Sequence, residues 1–270
     1  MEEHRLWITE VINRVLGPAA RALLDALHIS PENRQFPIPE HVAMELVVLA
    51  VALVFFLWFK SRISVERPGA TQQCLEMLLV NPMRVGARDL LQDMVGHHFE
   101  RYLPMIGTVG IFVLLCNLIS LVPGFSSPTA HYSVPFGCAV TVFCYYNFCG
   151  IRKQGLLGYA RHFLGPVLPL AIIMFPIEVV SNCARMLSLT VRLWVNMLVS
   201  ELLYSIFLGL MIGLFVFGKS VSVFLYLLVV VPLLGPLLFI ALHIFVAFLQ
   251  AFVFTLLPVI YVSGAVAEEH

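Results

Sequence analysis

Polar residues crowd into a few short stretches of this chain and leave long apolar runs between them. The first run covers residues 42–59, opened by the Pro-rich "FPIPEH" and closed by "KSR". Runs at 103–122 and 134–149 follow. All three are near the ~20 residues that an α-helix needs to cross a ~30 Å hydrocarbon core. Two later runs are much longer, with 53 residues at 165–217 and 43 at 221–263. A 43-residue helix measures about 65 Å. Each long run therefore predicts either two upright spans or one helix lying roughly 60° from the membrane normal. Pro232, Gly235 and Pro236 offer a break in the second run, whereas the first has no polar turn. Residues 60–102 carry six Lys/Arg and five acids around Leu75, Leu78, Leu79, Leu90, Leu91 and Val95, the pattern of a helix lying on the membrane surface.

Composition fits this reading. The chain is 60% hydrophobic and 12% charged, against roughly 25% charged in soluble domains, so an all-α integral membrane protein is expected. Sixteen acids balance sixteen Lys/Arg, which leaves no basic surplus for nucleic acid. The six cysteines form no CxxC pair and are expected to be small buried hydrophobes, with no metal or cofactor. Residues 1–40 mix six acids and four arginines with Leu16, Leu23, Leu24 and Leu27, which predicts a short surface helix and neither a signal nor a transit peptide. The Lys/Arg-rich segments 60–102 and 152–161 fall on one side of the membrane, and the loop 123–133, without Lys or Arg, on the other. The positive-inside rule then predicts five crossings, an extracytoplasmic N-terminal segment 1–40, a single membrane domain 41–270 and a cytoplasmic "AEEH" end.

Ionisable residues inside the long runs are the candidate chemistry. At 100° per residue, Ser181, Arg185, Ser188, Glu178 and Asn196 all fall within about 40° of Arg192 on one helix. Glu201 falls on the opposite face, and His243 and Gln250, seven apart, share a face of the last run. Serines in such a stripe can be packing residues, and Glu178 could simply pair with an arginine. An arginine at bilayer depth costs at least ~2.5–3.5 kcal/mol, and intramembrane ions mark ion paths.

The stretch "PIEVVSNCARMLSLTVRLWVNMLVSELL" resembles the signature of subunit a of F-type ATP synthases. "NLISLVPGFSSPTAHYSVPFG" is similar to that family's middle loop, and "HIFVAFLQAFVFTLLPVIYVSGAVAEEH" to its last helix. The resemblance covers roughly residues 35–270. It implies a proton-translocating stator with two aqueous half-channels against the rotor ring of subunit c. Its other implied partners are the peripheral-stalk subunit b, the remaining ATP synthase subunits and membrane lipid. It also implies that residues 165–265 form a hairpin of two strongly tilted helices. By the same resemblance Arg192 is the essential arginine, Asn196 the asparagine one turn on and Glu201 the half-channel carboxylate. His243 is its relay partner, Gln250 faces the arginine and Glu178 is the acid that starts the stripe. A bacterial inner membrane is the implied location, a mitochondrial inner membrane the alternative, and the subunit would not be an enzyme by itself.

This chain departs from the family pattern at several points. Trp194 and Val195 stand where phenylalanine and glycine are usual, which places bulk at a rotor-facing position. Met186 replaces a common proline. "PTAHYSVP" lacks the usual aspartate and asparagine, leaving His131 as the nearest polar substitute on the outer path. Among other classes, a secondary ion-coupled transporter would show internal repeats, and none is visible. An intramembrane hydrolase would show HExxH or GxSxG, and neither occurs.

Overall fold

The structure, a computed structural model, describes residues 7–28, 36–64, 68–79, 87–95, 99–122, 125–164, 171–217 and 223–266. Its helices are α1 (Trp7–Ala26), α2 (Glu40–Lys60), α3 (Ala70–Leu79), α4 (Ala87–Val95), α5 (Leu103–Leu118), α6 (Ser133–Leu164), α7 (Ala171–Phe217) and α8 (Val223–Val266). Three short 3₁₀ turns complete the described secondary structure, which contains no strand. Five helices are long and apolar enough to cross a membrane, and they correspond to the five expected crossings.

The two over-long runs are settled as single helices. α7 has 47 residues and α8 has 44, about 70 Å and 66 Å, so neither fits upright in a ~30 Å core. Pro232, Gly235 and Pro236 do not break α8, and α7 continues through Pro176. Membrane helices tolerate proline because neighbouring helices and local adjustments re-satisfy the freed carbonyl. The rings of Phe207 and Phe239 meet with centroids 4.6 Å apart. Arg185, 22 residues back along α7, sits 5.5 Å over Tyr261, 22 residues on along α8. The two helices are therefore antiparallel. Their connection at 218–222 and the "AEEH" end lie outside the described residues.

One apolar core joins the bundle. Ile106, Val109 and Val113 of α5, Val142 and Tyr146 of α6, Leu189, Leu193 and Met197 of α7, and Phe254 and Val262 of α8 meet there, with Leu91 of α4 beneath them. Lipid is as apolar as leucine, so close packing rather than water exclusion holds such helices together. Gly110 shows how close: a methyl there would run into Thr255 Oγ1, so α5 and α8 touch backbone to side chain. α2 is attached mainly near its start, where Ala43, Met44 and Val48 are buried, and it exposes Leu49, Val51, Leu53, Val54 and Leu57 beyond.

Within residues 60–102 the described helices are α3 and α4, and the segment between them lies outside the described residues. Two expectations change in detail. α6 extends past its apolar run as a second helical stretch beyond a kink at Gly155 (φ +77°), a backbone region that disfavours a β-carbon. Beyond the bend the ring of Tyr159 lies against Gly150, and its hydroxyl donates to Asn147 Oδ1 at 2.9 Å. The cysteines are only partly buried: Cys116 is inside, whereas Cys144 and Cys183 are exposed. On a span facing lipid, a small thiol is accommodated outside as readily as inside.

Asn13 clamps the N-terminal segment onto the rest of the chain. α1 is the expected helix within residues 1–40, and Asn13 lies buried on its docked face. The Asn13 amide donates to Ile38 O and accepts from Ile38 N, both at 3.0 Å. That clamp ties α1 to the chain just before α2 starts.

Candidate functional site

The α7 stripe is present, and its members fall into different environments. Leu189, Leu193 and Met197 point into the core, which leaves Arg192 and Ser188 on the exposed face with Val191 and Val195. Glu178, Ser181, Arg185 and Asn196 are half-buried at the edges of that face. Arg185 pairs with Glu178 at 3.9 Å and lies over Tyr261, so the packing role considered for Glu178 applies to Arg185. Arg192 has no hydrogen bond or ion pair among the described residues, so its charge is presented outward. Trp194 is half-buried, about 200° round the helix from Arg192, and Val195 takes the outward position. The Trp194 side chain therefore points away from the face that carries Arg192.

On the other face of α7, Glu201 meets α8. Glu201 and His243 line one cavity of ≈ 260 Å³ together with Ser120, Phe125, Ser200 and Tyr204. In the register set by Phe207–Phe239 and Arg185–Tyr261, His243 falls opposite residue 203 and Gln250 opposite Asn196. His243 is buried, with Nε2 3.0 Å from Ser120 Oγ and 3.1 Å from Asn117 O. Gln250 is 1% exposed and its Oε1 has no partner among the described residues. An orphaned buried carbonyl of that kind is a place for water or a partner group.

A polar web from the middle loop supports this cavity. Ser127 N donates to Glu201 Oε1 at 2.7 Å. Its hydroxyl donates to Cys116 O at 2.9 Å and lies 2.7 Å from Thr129 Oγ1, which donates to Asn117 Oδ1 at 2.7 Å. Ser126 Oγ donates to Glu40 Oε1 at 2.9 Å, and the rings of His41 and His131 stack 3.8 Å apart. Of the residues in this web, the sequence pattern points to Glu201 and His131. It does not mark Glu40 or His41, which stand in "FPIPEH" before the first apolar run, and Glu45 is the one charged residue in the run 42–59. An acid inside an apolar span was the available signal for Glu45.

Helices of this length and polarity, with an outward arginine and a carboxylate–imidazole cavity at bilayer depth, define a polytopic α-helical membrane protein built around intramembrane ionisable groups. Residues 42–263 match the family described as ATP synthase A chain. The chain is 40% identical to ATP synthase subunit a of Solibacter usitatus, over 96% of this chain and 100% of that one. It is 35% identical to ATP synthase subunit a of Koribacter versatilis over 99% of each chain, and 36% identical to that of Geotalea uraniireducens over 93% and 95%. The chain belongs to the ATP synthase A chain family, the a subunits of F-type ATP synthases.

Proposed function

We propose that this chain is the proton-conducting stator of an F-type ATP synthase, working against a ring of c subunits and held by subunit b in a bacterial inner membrane. Family membership makes it a non-catalytic membrane subunit of that assembly, and the bacterial relatives favour the location. The observation that carries the mechanism is the contrast on α7. Arg192 faces outward without a partner among the described residues, while Glu201 turns inward to share a cavity with His243.

The chemistry follows from the residue types. A rotor carboxylate crosses lipid when neutral and exchanges its proton with water when ionised. A guanidinium remains charged at any accessible pH, so Arg192 attracts the ionised carboxylate without passing a proton on. It thereby separates two aqueous half-channels. Along α7, Glu178 and Glu201 are 23 residues apart, about 35 Å, with Arg192 between them. Glu201 and His243 exchange protons in one half-channel, and Glu178 lies toward the other. Asn196 and Gln250, level with each other just past Arg192, hold water and fix its approach.

Arg192→Lys separates this role from a packing role. If Arg192 only held helices together, lysine would be mild, because charge and length are nearly kept. As the stator charge, its replacement abolishes proton-driven ATP synthesis in vesicles holding the whole complex, because the fixed, always-protonated fork is gone. Arg192→Ala leaves the complex assembled and lets protons leak between half-channels. Arg185, held by Glu178 and Tyr261, tolerates lysine. Normal synthesis in Arg192→Lys would overturn the proposal.

A further inference from the structure

Two adjacent residues of the middle loop hold two carboxylates. Ser126 Oγ donates to Glu40, and Ser127 N donates to Glu201. Glu40 comes from the first turn of α2, 161 residues from Glu201 in sequence, and the two lie within electrostatic reach of each other. Beside Glu40, the imidazoles of His41 and His131 are stacked at 3.8 Å with an interplanar angle of 3°. His131 Nδ1 is 2.7 Å from Ser133 Oγ, so its Nε2 remains to exchange protons.

We infer that Glu40, with the His41–His131 stack beside it, collects protons for the half-channel that serves Glu201, in place of the aspartate missing from the middle loop. The inference rests on the proton-path reading above. A proton leaves water or an imidazolium nitrogen of the stack and bonds to a Glu40 carboxylate oxygen. It then moves through water to a Glu201 oxygen, which restores Glu40 to its anion. The Ser127 N–H holds Glu201 in place and does not carry the proton. Other groups around Glu40 fit this role. Glu45 lies five residues further along α2, His243 of α8 borders the Glu201 cavity, and α5 and α6 bring Cys116 and Cys138 within electrostatic reach of Glu45. Among the described residues no Lys or Arg forms an ion pair with Glu40.

The competing role for Glu40 is to dock the loop onto α2. Glu40→Gln distinguishes the two, because its amide oxygen still accepts from Ser126 while the titratable group is lost. ATP synthesis by the whole complex in phospholipid vesicles is read against the pH of the compartment facing the loop. Glu40→Gln should lower the rate about tenfold at mildly alkaline pH. The loss is smaller than the ~10²–10⁴ of an obligatory acid–base group because water carries part of the flow. The deficit should shrink toward the unmodified rate as that compartment is acidified, and Glu40→Asp should recover part of it. Ser126→Ala serves as the docking control. A pH-independent loss shared by Ser126→Ala and Glu40→Gln overturns the inference. So does a Glu40→Gln rate within about twofold of normal at every pH, in vesicles where Arg192→Lys makes no ATP. Arg192→Lys with normal synthesis would instead bring down the underlying reading.

Discussion

Glu201 and His243 sit on different helices and 42 positions apart, yet one cavity takes both side chains. If they share one proton path, replacing either slows proton flux, and exchanging the two residues recovers part of the loss. Proton pumping by reconstituted complex measures this, and additive single losses with no recovery in the exchange would separate them. The sequence made this pair readable because each was an isolated ionisable group in an apolar run. Glu40 had no such contrast. It lies in "FPIPEH", where a carboxylate looks like an ordinary first-turn residue, and its partner Ser126 is 86 positions away. Hydropathy reports how a residue differs from its sequence neighbours and says nothing about such a pairing. Arg185 and Arg192 show the same limit in reverse. Periodicity places them on one face, but only the fold separates the arginine paired with Glu178 from the one left open.

At the level of elements, contact between α5 and α8 rests on Gly110. Thr255 Oγ1, the atom a methyl at Gly110 would strike, already donates to Ala251 O at 2.9 Å. It can move aside only by giving up that bond. Gly110→Ala should therefore destabilise the purified subunit by roughly 1–3 kcal/mol, and Thr255→Ala in the same chain should recover most of it. Thermal unfolding in detergent measures both, and strict additivity would mean that the two residues do not meet. Element existence was legible throughout, since five apolar runs gave five spanning helices. Element continuity was less so. Pro232 and Pro236 predict a break in water, where a freed carbonyl favours a turn, but α8 is helical through both.

For the whole molecule, the placement of Lys and Arg predicts an extracytoplasmic N-terminus and a cytoplasmic C-terminus. Single cysteines placed near Glu3 and Glu268 should react with a membrane-impermeant reagent from opposite sides of sealed vesicles. Labelling from the same side would exclude an odd number of crossings. The clamp by Asn13 adds a second expectation. Asn13→Ala leaves the Ile38 N–H and carbonyl without their partner, a loss of about 1–3 kcal/mol for buried groups. α1 should then become sensitive to protease in intact complex while proton pumping persists. Equal resistance in both forms would show that other contacts hold α1.

The great length of α7 also has an electrical meaning. Its apolar stretch, Ile172–Gly209, is 38 residues, about 57 Å, and staying within a ~30 Å core requires a tilt of roughly 60°. At that tilt the ~35 Å between Glu178 and Glu201 becomes only about 17 Å of depth and about 30 Å of lateral offset. A charge passing between the two ends travels mostly parallel to the membrane plane. The ~17 Å of depth is still about half of the core, and along it each elementary charge gains ~2.3 kcal/mol per 100 mV of the potential it crosses. The ~30 Å of lateral offset lies along the membrane plane, where the membrane field neither drives nor resists movement.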